Sequence, residues 1–216
     1  MYSLGALTGL FVLLLTFADM KRLPVGEPIF RKIIEGGFLY VDKTEWIYRL
    51  LQGGGYYFFA RPRRFGKSLL TSTLKELFLG SKELFKGLWI YDRYDFKPHP
   101  VIVISLNDLD FHRKTLEMSL CDRLDEVAGE NKLSLSSKTA KDKFSELIKE
   151  LGRETPVAVL IDEYDKPILD NITDLPTANA IRDKLRGFYT TIKSLDQYLR
   201  FVFITGISKF SRVGLF

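Results

Sequence analysis

Residues 56–70 read YYFFARPRRFGKSLL. An aromatic run, a basic loop and then Gly66-Lys67-Ser68 is the form in which a strand feeds a phosphate-binding loop and its following helix. Backbone N–H groups at such a helix start cradle phosphate oxygens, aided by the helix dipole. Lys67 would then reach the β/γ-phosphates, and Ser68 would turn its hydroxyl toward Mg²⁺. The full pattern GxxxxGK[ST] asks for glycine where this chain has Arg61, and glycine tolerates backbone conformations that arginine resists. Pro62 offers another way to fix that part of the loop. By itself the tripeptide is also compatible with an ordinary exposed helix start.

A second stretch changes the balance. Residues 157–165, VAVLIDEYD, form an apolar strand that closes on Asp162-Glu163. A parallel neighbour of the loop strand would carry Asp162 to the carboxyl rim of the sheet, where Mg²⁺ sits in phosphate-transferring sites. Glu163 would orient and polarise a water. Two motifs in this order, each ending an apolar strand, point to a nucleotide site. A third run, RFVFIT at 200–205, ends in Thr205 at the same rim. Its hydroxyl reads either as a γ-phosphate sensor or as a cap on the strand end.

Around these motifs, apolar strands alternate with longer amphipathic segments, the pattern of an α/β fold with a mainly parallel sheet. Strands are expected at Tyr56–Ala60, Val101–Leu106, Val157–Ile161 and Arg200–Thr205, all apolar enough to be central. Helices are expected at Lys67–Leu79, His112–Ala128, Lys138–Leu151 and Thr177–Ser194. Leu70, Leu74, Leu77 and Phe78 would pack the first of these on the sheet. Thr44 would cap a short leading helix at Glu45–Leu51, while Pro98, Pro100 and the stretch from Asp170 to Pro176 read as connections.

A chain of 216 residues suits one domain with a sizeable core, and 46% hydrophobic with 27% charged residues excludes global disorder. The net charge of +5 comes from basic residues scattered among nearly as many acidic ones, which does not support nucleic-acid binding. Cys121 is the single cysteine. It rules out an intrachain disulfide and a cysteine-built zinc site, and a reducing cytoplasm is the natural setting. His99 and His112 stand apart and read as surface or satisfied polar residues. From Met1 to Ala18 no side chain is charged. This stretch is near the lower limit for a membrane span; it reads as an extension upstream of Met20, with membrane anchoring as the alternative.

These residues carry a resemblance: MKRLPVGEPIFRKIIEGGFLYVDKTEWIYRLL from Met20, RPRRFGKSLLTSTLKELF from Arg61, VLIDEYDKPIL from Val159 and LRGFYTTIKSLDQYLRFVFITGISKFS from Leu185. The chain resembles the bacterial AAA-ATPase-like proteins, which are similar in turn to archaeal-type ATPases of the P-loop class. The resemblance implies a three-layer α/β/α P-loop NTPase fold of the additional-strand, catalytic-glutamate type, with ATP and Mg²⁺ as ligands. It implies phosphate-binding roles for Pro62, Arg63, Arg64, Phe65, Gly66, Lys67, Ser68 and Leu69. Ser68 and Asp162 would hold the metal, Glu163 would activate water, and Lys67 and Thr205 would act beside it. In that family RPRRFGKS is usual, so Arg61 counts as variation, and Asp42 to Thr44 is a motif near the nucleotide without a firm role.

Family members do not usually begin with the apolar extension at 1–19. They also continue past KFS into a helical region and a restriction-endonuclease-like domain. No apolar strand here bears the ExK pattern of those nucleases, so nuclease activity is not carried over. The domain is expected to span 20–216 as a truncated P-loop unit. The resulting reading is an ATP-binding, slowly hydrolysing core of a switch or motor-like protein. A catalytically silent nucleotide-binding module and a P-loop small-molecule kinase are the alternatives. Arg63 and Arg64 lie in the loop and Arg212 in the tail, so an arginine finger is expected from self-association or a partner.

Overall fold

Four short runs with strong strand propensity build a parallel sheet: β1 (Tyr56–Ala60), β2 (Val101–Ser105), β3 (Val157–Asp162) and β4 (Leu199–Gly206), in the order β1-β4-β3-β2. The computed structural model describes residues 21–53, 55–109 and 114–207. The apolar extension at 1–19, His112, Ser208 and Arg212 fall outside them. The helices are α1 (Phe30–Glu35), α2 (Thr44–Gly53), α3 (Lys67–Phe78), α4 (Leu116–Glu130), α5 (Ala140–Leu151), α6 (Lys166–Asp170) and α7 (Leu175–Ser194). Among the described residues no helix is long and apolar enough to cross a membrane.

Parallel strands need crossovers, and these place helices on both faces of the sheet. On one face Ile102, Ile104, Val159, Ile161 and Ile204 meet Leu120 of α4, Phe144 of α5 and Phe188 of α7. On the other, Leu160, Phe201 and Phe203 meet Leu74, Leu77 and Phe78 of α3, with Phe30 and Ile47 behind them. The result is a three-layer α/β/α arrangement. Leu70 departs from the expected core stripe: it is only partly buried and turns toward a cavity beside α3.

Several expectations need correction. Not every apolar run is a central strand: β3 is buried throughout, but β2 alternates and β1 is half-exposed along its length. Both lie at sheet edges, and aromatic cover from Phe201 and Phe203 over Tyr57 and Phe59 explains the apolar character of β1. Asp162 is not carried by the immediate neighbour of β1, because β4 lies between them. Thr44 does not cap a helix beginning at Glu45; it is itself the first helical residue, and its amide donates to Asp42 Oδ1 at 2.8 Å. Pro176 belongs to the first turn of α7, where its missing N–H costs nothing, and Asp174 caps the helix by accepting from the Thr177 amide at 3.2 Å. Helix α4 starts at Leu116, with Thr115 accepting from Met118 N.

Candidate functional site

The sheet brings three strand ends together at one rim. Register pairs Phe59 with Thr205 and Ala60 with Gly206, while Ile161 pairs with Ile204 on the other side of β4. The Arg61–Gly66 loop therefore leaves β1 directly beside the end of β4, and the Arg61 amide extends the ladder by donating to Gly206 O at 3.1 Å.

Arg61 needs no glycine-like conformation. The left-handed positions are Arg64 (φ 66°) and Gly66 (φ 73°), so the turn that the missing glycine was expected to make lies further along the loop. The Arg61 guanidinium lies 5.3 Å from the centre of the Phe59 ring. Pro62, Arg63, Arg64, Phe65 and Gly66 are exposed, and Ser68 and Leu69 are half-buried in the first turn of α3. Lys67 is only 5% exposed, contrary to a surface lysine on the loop. Its ammonium donates to the carbonyls of Arg61 and Pro62, at 3.0 Å each.

Across the rim, Thr205 ties β4 to the end of β3. Its hydroxyl donates to Asp162 Oδ1 and accepts from the Glu163 amide at 3.3 Å, and its carbonyl accepts from Tyr164 N at 2.9 Å. Asp162 is 6% exposed and Thr205 fully buried. Glu163 takes a left-handed φ of 53°, which swings its carboxylate out of the strand path. Burial pushes the Glu163 carboxyl above its ordinary value, and the neighbouring Asp162 adds to the shift; Lys67, Arg63 and Lys166 oppose it. Those three cations are therefore near enough to act on the Glu163 carboxyl through space.

Asp162, Glu163 and Thr205 are thus joined directly at the rim, with Lys67 and Arg63 near enough to act on Glu163. Sequence reasoning missed the supports of this turn. Asp165, almost fully buried, accepts from Ile207 N at 2.9 Å. A Cβ on Gly206 would lie 2.5 Å from the Tyr164 ring and 2.9 Å from Asp165 Oδ1, so residue 206 has room for hydrogen alone. The sequence signals were an acid three residues after Asp162 and a glycine directly after the strand threonine.

A family model described as Predicted AAA-ATPase matches residues 24–216. The chain belongs to this AAA-ATPase-like family. It is also 44% identical over 202 residues to the uncharacterised protein in the vnfD 5′ region of Azotobacter chroococcum mcd 1. That match covers 91% of this chain but 39% of the relative, so this AAA-ATPase-like chain spans well under half of the longer protein. No solved structure matches it.

The rim of this AAA-ATPase-like domain suits a polyphosphate and a hard divalent cation. An ammonium held by two main-chain carbonyls can exchange them for phosphate oxygens, and the amides at the start of α3 point the same way. Asp162 and Ser68 supply the oxygen chemistry Mg²⁺ takes when phosphates and water complete its shell.

Proposed function

We propose that this domain binds ATP at the Arg61–Leu69 loop and hydrolyses it slowly with Mg²⁺. The observation that carries the reading is the bridge from Thr205 to both Asp162 and Glu163, opposite the Lys67 ammonium. With β4 also paired to β1, which leads into the loop, it supports reading the two motifs as one polar site. The insertion of β4 between β1 and β3 supports the additional-strand, catalytic-glutamate class of P-loop fold.

In this reading Lys67 leaves the Arg61 and Pro62 carbonyls and binds the β/γ-phosphates, while the α3 amides hold phosphate oxygens. Bound Mg²⁺, held through Ser68 and Asp162, would neutralise phosphate charge. Glu163 takes a proton from the attacking water; its raised affinity for protons suits a general base. Thr205 is a positioning residue that fixes the Asp162 carboxylate and the backbone of Glu163. Arg63, near enough to act on Glu163, is a second cation already within the chain, whereas self-association or a partner would supply one from outside.

Phosphate release from ATP with no added acceptor tests the proposal. Release that depends on Lys67 supports it; transfer only to an added acceptor would make the domain a kinase, and binding without release would make it a silent module. Two charge-assisted hydrogen bonds at about 1.5–3 kcal/mol each place the Lys67→Ala loss of ATP affinity at ~100-fold or more. A specific rate that rises with protein concentration assigns the second cation to another copy; a constant one that falls in Arg63→Ala assigns it to Arg63.

A further inference from the structure

The segment before β1 leaves large apolar side chains open to solvent. Val25 is 90% exposed, Val41 is 67% exposed, Leu23, Trp46 and Phe65 are each 65% exposed, and Leu39 is 42% exposed. They share one face. Leu23, Leu39, Val41, Trp46 and Phe65 line the same cavity, and the Leu39 amide donates to Arg22 O at 2.8 Å, directly beside Leu23. Val25 follows in the same turn, with its amide on Leu23 O at 2.9 Å. A single exposed apolar residue is ordinary, but a contiguous set marks an interaction surface.

The face is held in place by a clamp. Asp42 Oδ1 accepts from the Thr44 amide at 2.8 Å and the Thr44 hydroxyl at 2.6 Å, Oδ2 accepts from Trp89 N at 2.6 Å, and the same hydroxyl accepts from Ile90 N at 3.2 Å. These bonds fix the start of α2, with Val41 and Trp46 on either side of it, to the Trp89–Ile90 turn. The charge left over on the face is positive. Asp42 is engaged in the clamp, Glu45 pairs with Arg49 at 2.6 Å and Glu27 with Lys32 at 3.9 Å, whereas Lys21, Arg22 and Lys43 pair with no carboxylate among the described residues. The Arg49 guanidinium also lies 4.9 Å from the centre of the Trp46 ring. An open tryptophan among aliphatic and basic side chains suits the headgroup layer of a bilayer, where amphipathic rings and cations are both satisfied.

The chain itself points to that occupant. Residues 1–18 carry no charged side chain, and only Asp19 to Arg22 separate them from Leu23, a reach of about 18 Å at full extension. A bilayer that took up the apolar stretch would lie within reach of this face. We propose that the face docks on an anionic membrane surface. Leu23, Val25 and Trp46 enter the interfacial layer, and Lys21, Arg22 and Lys43 meet the lipid phosphates, each cation contributing while the surface charge is unscreened. The face borders the Arg61–Leu69 loop, but docking stands whether or not that loop binds ATP.

Co-sedimentation with vesicles of phosphatidylcholine, with and without phosphatidylglycerol, tests this. The full chain carries Leu13→Asp and Leu15→Asp, which break the apolar stretch and leave the face as the only docking element under test. That chain should bind the phosphatidylglycerol vesicles at least tenfold more tightly than the neutral ones, and release them in about 1 M salt, where the Debye length is about 3 Å. Adding Val25→Asp, at the most open position, should weaken binding about tenfold or more. Arg22→Gln and Lys43→Gln should each weaken it about fivefold, the scale of one cation near such a surface. Trp46→Ala serves if Val25→Asp does not fold. Binding that is absent in the Leu13→Asp/Leu15→Asp chain, equal on neutral vesicles, or indifferent to both Val25→Asp and Trp46→Ala overturns the docking face. Self-association without vesicles that Val25→Asp abolishes overturns it as well, and gives the face to a second copy of the chain.

Discussion

Two connections meet at the carboxyl rim, and they are held in opposite ways. The Arg61–Gly66 loop is exposed, and its curl is tied from within by one side chain, Lys67, on the carbonyls of Arg61 and Pro62. The Asp162–Asp165 turn is pinned from outside by β4, through the Thr205 hydroxyl and carbonyl and the Ile207 amide. In the proposed ATP site the group that ties the loop is the group a phosphate would take, so ligand binding would trade one set of Lys67 bonds for another. The turn needs no such exchange. In that reading one side of the site would adapt to its ligand, and the other would be set before the ligand arrives.

The largest effect expected from this difference is on the chemistry at Glu163. Glu163→Gln should keep ATP bound and lower turnover by ~100-fold or more, the scale of a lost general base. Because the Glu163 carboxyl is raised above its ordinary value, wild-type turnover should fall as pH drops through that raised value. The stability sign runs the other way. A carboxyl with a raised folded-state pKa favours the fold when protonated, and that benefit is lost as pH rises through the folded value. At neutral pH the ionised side chain therefore costs stability, and Glu163→Gln should melt higher than wild type. Normal turnover in this variant would remove Glu163 from the chemistry; equal melting at pH 5 and 8 would remove it from the buried site.

The placement of the rim residues was legible in the sequence because it depends on residue type at fixed spacing. Lys67 opens α3, Asp162 ends β3 with Glu163 directly after it, and Thr205 is the last residue but one of β4, and apolar runs mark those places. The supports were harder to read because they come from distant parts of the chain. Nothing local tells that Asp165 will meet the Ile207 amide, or that Tyr164 will lie against Gly206. Edge and centre were confused for a similar reason: the aromatic run of β1 resembles a buried strand, yet its cover comes from β4 and its outer side is open. Asp42 and Thr44 stood out as a motif, but their partners at Trp89 and Ile90 lie more than forty residues away.

The pinned turn should be sensitive to changes that leave the loop untouched. Thr205→Val removes the hydroxyl at constant shape, leaving buried Asp162 without its donor and the Glu163 amide without its acceptor. An unsatisfied buried group costs about 1–3 kcal/mol, so the variant should lose that order of stability in denaturant unfolding along with part of its turnover. A γ-phosphate sensor with no structural duty would lose turnover at unchanged stability. Gly206→Ala drives a methyl into the Tyr164 ring and should cost about 1–3 kcal/mol by overpacking. A wild-type unfolding midpoint for Gly206→Ala would mean that the turn moves as freely as the loop.

The smallest effect belongs to the loop itself. Arg64 holds a left-handed φ of 66°, a conformation disfavoured for a side chain bearing Cβ, and its side chain is exposed. Arg64→Gly removes that conflict but also frees the unfolded chain, which partly offsets the gain. Arg64→Ala keeps the conflict and removes the guanidinium. Comparing these two variants isolates the backbone contribution, since both lack the same charge. Arg64→Gly should exceed Arg64→Ala by about 1 kcal/mol, or about 2–4 °C in Tm for a domain of this size. Equal Tm values would mean that the loop relaxes around residue 64 without strain. Such a loop would be tied by Lys67 alone, and in Lys67→Ala the Arg64→Gly and Arg64→Ala pair should again melt together.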